Sequence, residues 1–431
     1  MASPDVESTE VKTFEWWMLA NFAMGLGYSA FVSLLIPPFV KELTGDASSA
    51  GVVMAIIALG ALLGPALGMF ADKYSAHRLL LVLGVGGMAL AFAMLAISSE
   101  NNELLALDAI AMGVAIAAVS AVGPVFIVGA RLSQAVEAKQ LTTFSLMMPA
   151  GQLAGGVLLA LVTSWAYSAR FWLGAGIMAA AFVMVWFTSA DVNRRLQAAI
   201  AAGKADLEGA KEVRKASLKQ VFASLFGVYL LVLVLSSVAN NGVNSQIANI
   251  MPNVYGMSEQ MTSAMIGLAG LLNILLFFPA GRWMGRSGGF SPFTAGIVAR
   301  FAAGIGMAVV GAAMDNAVLL GAAFMQLMYN AAPFVRLAQP NLAVRYAKFP
   351  AGAASGWVIA ASATGSFIGS LVGGFLADSY GFNSVNWMAA VAAGLSVVVL
   401  WIWLKPAEQR IRDASPGGTP GAIADSPAGA G

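Results

Sequence analysis

The chain has 431 residues, of which 59% are hydrophobic and only 10% charged, with a formal net charge of +2 and no cysteine. A soluble globular chain carries roughly 25% charged residues, so these few charges cannot wrap so much apolar surface in water; the mean hydropathy of +0.79 agrees. The lack of cysteine excludes disulfides, thiol chemistry and cysteine-ligated metals, and the lone histidine, His77, expected in a loop, excludes a histidine cluster.

In lipid a chain must satisfy its own backbone, as a helix of about 20 apolar residues or as a closed barrel of alternating strands. The long uninterrupted apolar runs predict an all-α membrane protein with spans near 15–40, 49–71, 79–98, 104–130, 141–165 and 168–189, then 219–247, 260–281, 291–313, 317–343, 352–377 and 384–404. This divides the chain into a disordered N-terminus (1–14), a six-helix bundle (15–189), a polar linker (190–218), a second six-helix bundle (219–404) and a disordered tail (405–431). The first run is too long, and its flank too acidic (Asp5, Glu7, Glu10), for a cleaved signal peptide. The linker reads either as an amphipathic helix on the membrane surface or as a plain solvated tether. The tail is rich in Pro, Gly and Ala. Trp16, Trp17, Trp401 and Trp403 are expected at the lipid–water interface.

An even number of spans puts both termini on one side. Of 23 basic residues, Lys41 and Arg170 fall on the opposite side and Arg300 and Arg336 within spans, leaving 19 with the termini, while Glu42, Asp46, Glu100, Glu103, Glu259 and Asp315 populate the other loops. The positive-inside rule therefore places the termini in the cytoplasm, in an inner or plasma membrane.

The halves repeat. At an offset of 214 residues IPPFV around Pro38 meets IMPNV around Pro252, and Gly151-Gln-Leu-Ala-Gly155-Gly156 meets Gly365-Ser-Phe-Ile-Gly369-Ser370. At 213, Gly68-Met-Phe-Ala-Asp72-Lys73 meets Gly281-Arg-Trp-Met-Gly285-Arg286. Parallel repeats of this kind put a transporter's site between the halves, near the bilayer midplane.

The segment Gly68-Met-Phe-Ala-Asp72-Lys73-Tyr-Ser-Ala-His77-Arg78, between the second and third spans, resembles the loop motif of the major facilitator superfamily: Gly, three residues, Asp, then basic residues. The resemblance implies a fold of twelve helices in two pseudo-symmetric halves, a bacterial secondary transporter of unresolved subfamily, and gating residues Gly68, Asp72, Lys73 and Arg78, with Asp72 the carboxylate of a charge latch for the outward-open state. It also implies that spans one, four, seven and ten line the cavity. The second copy has Gly285 in place of Asp72, which argues against a symmetric latch. Gly151 to Gly156 looks like a degenerate antiporter signature with Gln152 where drug exporters carry Pro, and close helix packing explains it better. The exporters' fourth-span Arg is replaced by Ala109.

Polar groups inside spans mark candidate sites, because lipid-facing amides and charges are expensive. Asn240, Asn241 and Asn244 make the seventh span polar, either for solute contact or as a helix–helix network. Tyr329, Asn330 and Arg336 do so in the tenth, and Tyr28 in the first. Arg300 falls in a span that the family places peripherally, which favours a structural role. Asp108 is the one embedded candidate for a coupling proton, unless it belongs to the acidic rim.

These residues imply no cofactor, metal, enzyme activity or nucleic-acid partner. They imply a monomer in the lipid bilayer that binds a small-molecule solute and couples to an ion, a proton being expected. Two intramembrane arginines without midplane acids favour a polar or anionic organic solute, since Arg suits carboxylate and phosphate. A proton-coupled multidrug-type exporter and a non-transporting sensor or assembly factor are the alternatives.

Overall fold

The computed structural model describes residues 12–97, 103–130, 132–207, 221, 224–347 and 351–413. Among them, twelve helices are long and apolar enough to cross a membrane: α1 (Trp16–Thr44), α2 (Ala47–Tyr74), α3 (His77–Ile97), α4 (Leu104–Val128), α5 (Val136–Leu161), α6 (Tyr167–Ala201), α7 (Leu225–Asn244), α8 (Glu259–Ser287), α9 (Phe290–Ala313), α10 (Val318–Tyr346), α11 (Ala354–Tyr380) and α12 (Asn383–Ile411). We call the end of the bundle bearing the α2–α3 turn proximal and the other distal.

Several boundaries differ from the sequence reading. The helix of α6 continues to Leu207, so the first part of the expected linker is its extension, while 208–218 lies outside the described residues. The helix Lys405–Asp413 occupies the start of the expected disordered tail, because Glu408 is buried against Arg345 at 2.9 Å and accepts from the Tyr346 hydroxyl at 3.2 Å. At the other terminus the Lys12 carbonyl accepts from Gln140 at 2.9 Å and the half-buried Phe14 ring meets Trp16 edge-on, so the expected disordered segment touches the bundle from Lys12 onward; 1–11 and 414–431 lie outside the described residues. Trp17 is 1% exposed and packs between Phe126 and Phe144, in the core rather than at an interface. His77 begins α3, buried, instead of sitting in an exposed loop.

The repeat has a packing cause. A Cβ on Gly151 would lie 2.8 Å from the Leu26 amide of α1, and one on Gly369 would lie 2.5 Å from the Val238 carbonyl of α7. The glycines of α5 and α11 thus let each helix nest against the first helix of its own half. Pro38 and Pro252 likewise both lie inside the distal helical segments of their halves.

The halves meet at the distal end. A Cβ on Gly51 of α2 would come within 2.6 Å of Gly374 Cα in α11, and one on Gly156 of α5 within 2.6 Å of Gly267 Cα in α8. The buried Arg170 guanidinium pairs with Glu259 across the seam, and the Lys41 ammonium sits 4.5 Å from the Phe382 ring centroid. At the proximal end, Cβ atoms on Gly64, Gly68, Gly281, Gly285 and Gly356 would meet nothing within 4 Å. The molecule is closed distally and open proximally.

Candidate functional site

Three cavity helices depart from regular α geometry where the site lies. In α1, Gly25–Val32 forms wide π-helical turns that carry Tyr28 and Ser29; such turns recur at functional sites. The α7 helix ends at Asn244 and resumes as Ile247–Tyr255. Side chains repair that break: Ser245 donates to the Gly242 carbonyl at 2.9 Å, and Gln246 to the Ala47 carbonyl of α2 at 3.2 Å. In α10 the break falls between Val318–Asn330 and Ala332–Tyr346, ahead of Pro333, which lacks an amide proton.

These breaks face one another around a cavity of about 80 Å³ between the halves, lined by Tyr28, Gln152, Asn240, Asn241, Asn244, Asn273, Arg300, Tyr329 and Arg336 among others. One probe-sized water takes roughly 10–15 Å³ by this measure, so the space suits a few waters or a small solute. Phe277 lines both this cavity and a proximal vestibule of about 370 Å³ bounded by α5 and α8.

The polar groups form a partly occupied network. The Tyr329 hydroxyl donates to Asn244 Oδ1, and Asn244 Nδ2 donates to Ser33 Oγ of α1 at 3.1 Å, which links the two halves. Asn241 Nδ2 donates to the Ser237 carbonyl at 3.2 Å, and Gln152 Nε2 crosses the seam to the Ile266 carbonyl at 3.3 Å. Asn273 is buried, and its Oδ1 has no partner among the described residues.

Two guanidinium groups define the electrostatics. Arg300 is 7% exposed; one terminal nitrogen donates to Ser236 Oγ at 2.7 Å, and its Nε has no partner among the described residues. Arg336 reaches into the space itself, accessible to water yet ringed by protein, with Met148 Sδ, a weak acceptor, at 3.5 Å. The two charges repel. Among the described lining residues there is no Asp or Glu.

The structure therefore brings together Tyr28, Asn240, Asn241, Asn244, Tyr329 and Arg336. Asn330 is not among the described lining: it donates to Gln326 Oε1 at 3.1 Å, one turn back on its own helix, and lines a separate hollow between α8, α9 and α10. Asp108 is buried in α4 but not among the cavity lining, and α4 contributes nothing to that lining, contrary to the family expectation. Arg300, expected to be peripheral, faces the cavity because Ser236 on α7 anchors it inward. Asn273 is not among the sequence-predicted residues; a lone amide between Leu272 and Ile274 in mid-span is the signal that points to it.

The loop residues sit apart, at the proximal end. Asp72 is 71% exposed and pairs with buried His77 at 2.9 Å; Arg78 donates to the Trp186 carbonyl at 2.8 Å and Ser189 Oγ at 3.3 Å; the Lys73 ammonium lies 5.1 Å from the Tyr74 ring centroid. All of these partners belong to the first half.

Two like halves of six helices around a polar cavity define a multi-pass membrane carrier. The chain belongs to the Major Facilitator Superfamily, whose sequence profile matches residues 17–358, and it is a transporter by family and fold, not an enzyme. No curated protein matches its sequence. Among solved structures it resembles the nucleoside transporter NupG (TM-score 0.68, 14% identity, covering 90% of this chain and 98% of that one). It also resembles a D-xylose–proton symporter (0.65, 12%, 90% and 97%). A third is the human organic anion transporter MFSD10 (TETRAN) (0.63, 15%, 89% and 98%). At these identities the likeness shows the fold.

Proposed function

We propose that this protein is a secondary active transporter of a small organic anion, moved by alternating access between the proximal-open conformation and its distal-open counterpart. The observation that carries this is the pair of arginines on one cavity with no carboxylate in its described lining. A charge in mid-membrane costs about 2.5–3.5 kcal/mol on the insertion scale, so two are retained where a ligand of opposite sign offsets them. The amides and hydroxyls of Asn240, Asn241, Asn244, Tyr28 and Tyr329 then recognise the polar remainder of the solute. The sequence assigns 19 of 23 basic residues to the side of the termini, which supports reading the proximal side as cytoplasmic, with Asp72, Lys73 and Arg78 gating it.

Counterflow in proteoliposomes across a panel of anionic, neutral and cationic solutes tests the reading. The expected result is exchange of an organic anion that fails in Arg336→Ala, with the variant's melting temperature preserved. Efflux of amphipathic cations that survives Arg336→Ala and is lost in Asp108→Asn would overturn it.

A further inference from the structure

We propose that Phe277 is the size filter of this carrier, the side chain that decides which solutes pass from the proximal vestibule into the central cavity. The assignment deepens the transport reading above and rests on that reading's cavity, not on its charge. The two spaces differ in what they can hold. A cavity of about 150 Å³ is enough for a benzene ring. The vestibule, at about 370 Å³, exceeds that, and the central cavity, at about 80 Å³, falls short of it. Their walls differ as well. Leu141, Leu146, Phe278, Met284 and Leu337 make the vestibule largely apolar, whereas amides, hydroxyls and guanidinium groups dominate the cavity. A bulky ring-bearing compound therefore fits the outer space and not the inner one.

The boundary falls at one residue. On α5, Pro149 lines the cavity while Ser145 and Leu146 line the vestibule; on α10, Arg336 lines the cavity and Leu337 the vestibule. Among the described residues Phe277 alone lines both. Its place follows from one face of α8. Gly270, Asn273, Phe277 and Gly281 succeed one another at spacings of three and four, which put them on the same side of a helix. At Gly270 that side is pressed against α5, since a Cβ there would lie 2.6 Å from the Pro149 carbonyl oxygen. At Asn273 it borders the cavity, and at Gly281 a Cβ would meet nothing within 4 Å. Phe277 stands between these levels, half-buried, a ring on a face whose other members are small. Truncating it joins the two spaces, and enlarging it narrows the way between them.

Reaction of single cysteines with uncharged methanethiosulfonates of graded size tests this on the full chain, whose own sequence has no cysteine. Ser29→Cys reports the cavity and Ser145→Cys the vestibule. With each rate at Ser29→Cys taken relative to that at Ser145→Cys, the methyl reagent is expected to exceed the benzyl reagent by at least about tenfold. Adding Phe277→Ala should abolish that difference, and adding Phe277→Trp should slow the methyl reagent at Ser29→Cys as well. A side chain with a merely structural role would not move this ratio, because a loosened fold admits both reagents alike. Phe277→Leu, which keeps the site filled, should fall between the parent and Phe277→Ala at the parent's melting temperature. Equal rates for the two reagents in the parent overturn the assignment, as does a difference that Phe277→Ala and Phe277→Leu leave untouched. Since the reagents carry no charge, that result leaves the anion reading standing, and failure of anion counterflow leaves the filter standing.

Discussion

Asn244 holds three elements at once: its own helix ends there, its carbonyl oxygen takes the Tyr329 hydroxyl of α10, and its amide reaches Ser33 of α1. A residue that bridges the halves and also lines the cavity can sense both solute and closure. A simpler side chain, Asp46, permits a cleaner prediction. It caps the distal start of α2, accepting the Ser49 amide at 2.6 Å and the Ser48 hydroxyl at 2.8 Å, and the Ser49 amide foremost holds its carboxyl below the ordinary range. A lowered folded pKa stabilises above the unfolded value, near about 3.9, and that stability is lost as pH falls through the folded value. Asp46→Ala should cost about 1 kcal/mol at neutral pH. In thermal melts the gap should close in acid, and Asp46→Asn should keep most of the cap while losing the pH dependence. At this scale Tyr28, Asn240, Asn241, Asn244, Tyr329 and Arg336 were legible in sequence, because polar groups in lipid need a reason. Which face of a helix they occupy was not. Asn330 is one residue from Tyr329 and points elsewhere, and Arg300 faces inward because of Ser236, on a different helix.

At the scale of the helix, Gly64, Gly68, Gly281, Gly285 and Gly356 stand in open space toward the proximal end, and two glycine pairs are buried in the distal seam. The difference marks where helices meet in one state and where they must meet in the other. Gly68→Leu on α2 adds a side chain where nothing lies within 4 Å, so the observed state should change in stability by no more than about 0.5 kcal/mol. The added bulk blocks proximal closure, and transport should fall by at least roughly tenfold with folding intact. Gly156→Leu should act in the opposite sense, prising the distal seam apart, because Gly267 Cα would lie 2.6 Å from its Cβ; labelling of Ser263→Cys reads this out. Loss of transport with a matching loss of melting temperature in Gly68→Leu would refute the argument. The twelve spans and their pairing were legible because hydropathy and a repeat near 214 residues constrain every helix. The run of α6 to Leu207 and the packed Lys405–Asp413 helix were not, since both are polar segments without an apolar run, and the second is held by the Arg345–Glu408 pair.

At the scale of the whole molecule, the equilibrium between two conformations rests on contacts that one of them possesses and the other lacks. The Arg170–Glu259 pair is such a contact, joining the start of α6 in one half to the start of α8 in the other. Glu259 also sits in the first turn of α8, where a carboxylate favours the helix dipole by about 0.3–1 kcal/mol. That local benefit is the same whichever end is open, so it cancels from the equilibrium. The pair does not cancel. Arg170 is buried and Glu259 half-exposed, so the pair's value falls between that of an exposed bridge, near zero to about 1 kcal/mol, and a buried one. A contribution of about 1.4 kcal/mol would shift the populations roughly tenfold. Glu259→Gln should therefore raise the labelling rate of Ser263→Cys by about that factor, with the proximal site labelled correspondingly less. The exchange Arg170→Glu/Glu259→Arg should return most of the shift, since the attraction is restored with its ends swapped. A fall in melting temperature without any change in labelling would assign the pair to the stability of both states rather than to the balance between them.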